Sequence, residues 1–177
     1  ETSELEQMPV TAVAIGKFDG LHLGHQQLLH EMVDYSQEAG FVPAVITFDR
    51  HPKALLDPEN CPRPLIGPRQ KAQLMSDAGV EILLTLPFTA ELAGLSPRDF
   101  IEQVISPLGA QMIFVGQGFR FGTHGTGTIA DLREFGPEFG FRVREVAHVQ
   151  VADRKISSTD LRTILDAGKV EVASLLL

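Results

Sequence analysis

Within Gly16-Lys-Phe-Asp-Gly-Leu-His-Leu-Gly-His25 the chain places two imidazoles and three glycines in one short stretch. His22 and His25 stand three apart, so a helix would carry both on one face of its first turn. Imidazoles beside the N–H groups of a helix start make a place for polyphosphate. Gly16, Gly20 and Gly24 remove side chains that would hold a ligand away from the backbone. No Gly-Lys-Ser/Thr follows, so the stretch is not the Walker phosphate loop, and it lacks the Gly-x-Gly-x-x-Gly dinucleotide fingerprint.

Three further constellations bear chemistry. Asp49-Arg-His-Pro52 sets a carboxylate and an imidazole directly after an apolar run. Gly116-Gln-Gly-Phe-Arg-Phe-Gly-Thr-His-Gly-Thr-Gly127 is rich in glycine, which predicts a mobile loop. Phe119 and Phe121 in that loop either meet a flat heteroaromatic ligand or tuck back into the core. In Lys155-Ile-Ser-Ser-Thr-Asp-Leu-Arg162, a hydroxyl from Ser157, Ser158 or Thr159 caps a helix. Arg162 falls on the same face as that capping end, which makes a second phosphate grip, while an ordinary N-cap is the plain alternative.

The elements that must position these groups alternate between strand and helix. Val10–Ile15 reads as a buried strand, and Gln26–Ala39 as a helix through Leu28, Leu29, Met32, Val33 and Tyr35, closed by Gly40. Phe41–Phe48 is a second strand. Asp57 to Pro68 carries four prolines and is expected to be irregular; Pro68 then opens a helix through Ala78. Val80–Leu86 is a strand, Ser96 caps a helix over Phe100–Ile105, and Gln111–Val115 is the fourth strand. A helix over Ile129–Phe139 precedes one or two strands in Phe141–Val151, and a last helix runs to Ala167. Such alternation predicts an α/β fold with a mainly parallel sheet, and ligands gather at the carboxyl edge of such a sheet.

Composition narrows the class. With 177 residues, 44% of them hydrophobic, one core is expected. A net charge of −8 argues against nucleic-acid binding, so any phosphate site must be locally positive. Cys61, the single cysteine, has no internal disulfide partner and suits a reducing compartment. No apolar run spans a bilayer and no leader pattern opens the chain, so the expectation is a cytoplasmic protein with no membrane partner. Residues 1–8 are expected to be a loose lead-in, 9–168 one domain, and 169–177 the start of a linker.

Four motifs occur here in the order of one family: Gly16–His25, Thr47-Phe-Asp-Arg-His-Pro52, Val115-Gly-Gln-Gly-Phe-Arg-Phe-Gly122 and Ile156-Ser-Ser-Thr-Asp-Leu-Arg162. The chain resembles the FMN adenylyltransferase (FAD synthetase) module of bacterial bifunctional riboflavin kinase/FAD synthetases over nearly all of residues 10–177. The resemblance implies a Rossmann-like nucleotidyltransferase fold that makes FAD and pyrophosphate from ATP and FMN. Mg²⁺ would be held mainly by the ATP phosphates, with no protein metal site. His22, His25 and Arg162 would be catalytic, gripping ATP phosphates. Gly16, Lys17, Phe18, Asp19, Gly24, Ile156, Ser157, Ser158 and Thr159 would shape the nucleotide site. Phe48, Asp49, His51, Pro52, Gly118, Phe119 and Phe121 would lie near the flavin. The family usually has Asp or Asn where Gly118 stands, which bears on FMN binding. Such enzymes continue into a riboflavin kinase module, towards which 169–177 would lead. An adenylyltransferase for another phosphorylated acceptor and a non-catalytic flavin or nucleotide binder are the alternatives.

Overall fold

The computed structural model describes residues 9–151 and 154–177. Thr11–Ile15 (β1) leads to Leu23–Ala39 (α1), Val42–Phe48 (β2) and the single turn Lys53–Leu56 (α2). Pro68–Asp77 (α3), Ile82–Leu86 (β3), Ala90–Gly94 (α4) and Pro97–Phe100 (α5) follow. After Ala110–Gly116 (β4) come Ile129–Phe139 (α6), Arg142–Val146 (β5), and the two-residue strands Gln150–Val151 (β6) and Arg154–Lys155 (β7). Ser158–Asp166 (α7) and Val170–Ser174 (α8) end the chain.

Five strands form one parallel sheet in the order β3-β2-β1-β4-β5, flanked by helices, as the alternation of elements predicts. Every residue of the central β1 is buried. Its side chains alternate between two cores. Val13 and Ile15 pack with Phe100, Ile101, Ile129 and Leu132 on one face. Ala12 and Ala14 pack with Leu28, Leu29, Met32 and Met75 on the other. The small alanines face α1, so that helix can lie close to the sheet. Gly40 ends α1 in the left-handed region, φ 70°, where a glycine carries no Cβ penalty.

Several expectations shift in detail. α1 begins at Leu23, so the histidines sit at its cap and first turn. The helix after Ser96 is only four α-helical residues, then widens into a π segment over Ile101–Ile105. α4, capped by Thr89, was not legible in the sequence pattern. The segment 141–151 resolves into two strands, with β6 pairing antiparallel to β7 outside the main sheet. α8 turns back onto the domain: Ala173 is 1% exposed, and the Leu176 carbonyl accepts the Leu23 N–H at 3.0 Å. The expected lead-in at 1–8 lies outside the described residues. Among the described residues no helix is long and apolar enough to cross a membrane.

Candidate active site

Because the sheet is parallel, the segments after β1, β2, β4 and β5 all emerge at its carboxyl edge. The strand order reverses between β1 and β4, which is where open α/β sheets leave a crevice. The turn after β1 occupies that point. Phe18 (φ 48°), Gly20 (φ 86°) and Leu21 (φ 39°) all lie in the left-handed region, which a non-glycine residue enters at a cost of about 1–2 kcal/mol. Phe18 and Leu21 hold the strain by burial, at 1% and 5% exposure.

The two imidazoles stack at a centroid distance of 3.8 Å and an interplanar angle of 22°. The glycines around them serve this packing more than a ligand. A Cβ on Gly24 would come 3.2 Å from the His22 ring, and one on Gly16 would come 3.2 Å from Phe18. The Nδ1 of His25 is buried with no hydrogen-bond partner among the described residues. Burial above all, then His22, Lys71 and Lys17, lowers its pKa to about 3. The ring is therefore neutral near pH 7 and can donate one hydrogen bond to an anion. The helix start is only partly open, since the Leu23 N–H is taken by the Leu176 carbonyl.

A cleft of about 470 Å³ opens over this turn. It is lined by Gly16, Lys17, Phe18, His22, Gly24 and His25 from the turn, and by Phe48 and Pro52 after β2. Gly118 and Phe119 line it from the loop after β4, and Ile156 and Ser157 from the approach to α7. Four separated motifs therefore meet at one cavity. A second cleft of about 370 Å³ shares only Lys17 and Phe48 with the first. Asp19, Asp49 and His51 line it, together with Cys61, Pro62, Pro64 and Lys71. Sequence reasoning missed this proline-bearing wall and Lys71, although the four prolines marked the segment as irregular. Lys71 Nζ donates to the Lys17 carbonyl at 2.9 Å, a contact between residues far apart in sequence.

Five expected ligand contacts are engaged within the protein. Arg162 pairs with Asp19 through its Nη2 and donates from Nε to the Arg63 carbonyl at 2.9 Å. Arg162 lines neither cleft. The other carboxylate oxygen of Asp19 accepts the Leu65 N–H at 2.9 Å. Ser158 donates to the Asp19 carbonyl at 2.7 Å, while the N-cap of α7 is Ser157, which accepts from the Asp160 N–H. Thr159 is exposed and lines neither cleft. Asp49 accepts the Phe88 N–H at 2.9 Å and pairs with Arg50, whose hydrogen bond lowers its pKa.

Phe121 is a correction. It is 6% exposed and packs inward beside Phe100, with ring centroids 5.8 Å apart, so it is core and lines neither cleft. Phe119 stacks on it at 5.8 Å and faces the first cleft. The loop glycines follow from this packing. A Cβ on Gly127 would lie 2.7 Å from the Phe121 ring, and one on Gly122 would lie 2.8 Å from the Pro97 nitrogen. Phe121 and Gly127 also form a β-bridge, and Thr123 donates to the Leu95 carbonyl at 2.7 Å. The loop is thus tethered, contrary to the glycine count alone.

A sequence model of the FAD synthetase family matches residues 4–160. The bifunctional riboflavin kinase/FMN adenylyltransferase of Bacillus subtilis is 36% identical over 174 residues, covering 97% of this chain and 54% of its own length. The enzyme of the same name from Buchnera aphidicola (Schizaphis graminum) is 34% identical over 169 residues. An FAD synthetase of Listeria monocytogenes is 31% identical over 166 residues and is covered to 67%. Among solved structures, a chain described as a macrolide-efflux protein from Streptococcus pneumoniae superposes with a TM-score of 0.87 at 29% identity. That match covers 95% of this chain and 55% of the other. The chain spans about half the length of the bifunctional relatives it matches. A family model that runs through the histidine turn, both cleft walls and the cap of α7 settles its kinship: the chain belongs to the FAD synthetase family.

Proposed function

We propose that this chain is an FMN adenylyltransferase, joining the adenylyl group of ATP to FMN to give FAD and pyrophosphate. The observation that carries the reading is the pair of clefts that meet at Lys17 and Phe48, one of them floored by the stacked histidines. ATP fits the first, with its triphosphate along His22, His25 and the capping Ser157. The second takes the flavin against Phe48 and the proline wall, with its phosphate at the shared border.

An oxygen of the FMN phosphate attacks the α-phosphorus, and pyrophosphate leaves opposite. No side-chain nucleophile is needed, since a phosphate monoester is anionic near neutral pH. The protein holds the two phosphates in line and supplies hydrogen-bond donors to the oxygens where charge builds. The neutral His25 ring can serve in this way through its one N–H. Mg²⁺ would be held mainly by the ATP phosphates and would there offset charge. Asp19, the carboxylate nearest the turn, is already bound by Arg162 and Leu65, and among the described residues no three His, Cys, Asp or Glu side chains gather as a metal site. Gly118, exposed beside Phe119, lines the first cleft and offers a ligand there no side-chain contact. In the bifunctional relatives a riboflavin kinase accompanies this activity, and the same partner is proposed here beyond 169–177.

Chromatography of a mixture of protein, ATP, FMN and Mg²⁺ tests the assignment. FAD and pyrophosphate in equal amounts are expected. Pyrophosphate release with a different phosphorylated acceptor and none with FMN would overturn it.

A further inference from the structure

Lys17 stands on the border of the two clefts, and its partner there is unusual. Its Nζ lies 3.1 Å from Nε2 of His51. The other ring nitrogen of His51, Nδ1, accepts the backbone N–H of Lys53 at 3.1 Å. A backbone N–H can only donate, so Nδ1 carries a lone pair. A neutral imidazole has one N–H, which must then sit on Nε2 and point at Lys17. An ammonium has no lone pair to receive it. The contact is satisfied only if Lys17 is a free amine.

The surroundings agree. Lys17 is exposed as a residue, but its head group is crowded, and that desolvation, followed by the charge of Arg162, pulls it below the usual lysine value. Lys53 on α2 acts in the same direction and Asp19 on its own turn opposes it. Lys71 of α3 holds the Lys17 carbonyl from the other side. Burial above all, with the charge of Arg162, lowers His51 below the usual imidazole value, so the ring stays neutral.

We propose that Lys17 is a catalytic residue that takes the proton of the acceptor's phosphate monoester and then holds the resulting dianion as an ammonium. This rests on FMN as the acceptor. As the monoanion enters, its O–H bond breaks while an N–H bond forms on Nζ. The products are a phosphate dianion, ready to attack the α-phosphorus, and a lysine cation beside it. No electron is transferred, and pyrophosphate remains the only leaving group. The new ammonium can no longer accept from His51, so the two donors repel and Lys17 turns towards the phosphate. His51 is thus a positioning residue that keeps the amine unprotonated until substrate arrives.

Isothermal titration of the protein with FMN at pH 8, in two buffers of different ionisation enthalpy, reads the proton count. At that pH the FMN phosphate, with a second pKa of about 6, is already a dianion, so Lys17 must draw its proton from solvent. Net proton uptake on FMN binding is expected. Lys17→Arg keeps a cation but never offers a lone pair, so it is expected to bind FMN with uptake near zero. FMN binding by the unaltered protein without proton uptake, or undiminished uptake in Lys17→Arg, overturns the role of Lys17 while FAD formation still stands. Absence of FMN binding and of FAD overturns the acceptor assignment and this role together.

Discussion

His25 shows how one side chain links stability to chemistry. Its ring is neutral because it is buried beside His22, and the same ring faces the cleft to which the proposed function assigns the ATP phosphates. Losing one such donor typically costs about 10²–10³ in turnover. His25→Ala is therefore expected to lower FAD formation at least tenfold, measured by chromatography, with the circular dichroism of the folded domain retained. The pH dependence follows from the same residue. Its pKa is about 3 when folded, against the ordinary imidazole value of 6.5, so the unfolded chain binds the proton first. Its share of stability is fully present above pH 6.5 and is lost as pH falls towards 3. Urea denaturation at pH 7.5 and pH 4.5 is expected to show lower stability at the acid value, with a smaller drop in His25→Gln. An equal drop in that variant would remove His25 as the cause. These residues were legible because type and spacing announced them. The state of His25 was not, since it depends on Lys71 and on a stacking distance that no local pattern encodes.

At the scale of elements, the Asp19–Arg162 pair ties three segments together: the turn after β1, the chain at 63–65, and α7. Both side chains are mostly shielded, with 15% and 17% of their surface exposed. Removing one partner strands the other and the Leu65 N–H, so Asp19→Ala is expected to cost about 3–5 kcal/mol, measured by urea denaturation. Asp19→Asn, which can still accept from Leu65, should cost less. The sequence marked Asp19 and Arg162 as important but assigned both to ligand, because spacing shows a helix face and not what stands opposite it. The loop after β4 carries the same lesson. Its glycines suggested mobility, whereas Gly122 (φ 69°) and Gly127 are glycines because Pro97 and Phe121 press against them. Thermal denaturation is expected to show a large loss for Gly122→Ala. Gly118 (φ 76°) faces open space, and asparagine tolerates that backbone region. Gly118→Asn should leave the melting temperature within a few degrees while adding a polar group beside Phe119. The strands and main helices were readable because their hydrophobic periods are strong. Phe121 was not, since its inward turn is decided by Phe100, a partner on another element.

For the molecule as a whole, the parallel sheet brings the ends of β1, β2, β4 and β5 to one edge, and that topology lets distant motifs share a cavity. Sequence order alone suggested this edge. The division of the edge into two clefts was not foreseen, because the dividing residues Lys17 and Phe48 are neighbours only in the folded chain. That division has a stereochemical consequence. Two substrates that meet across one border need a single displacement, and a single in-line displacement turns a chiral phosphorus inside out. ATP made chiral at the α-position with sulfur or oxygen isotopes is expected to give FAD of inverted configuration; retention would mean that the adenylyl group pauses on a histidine on its way across.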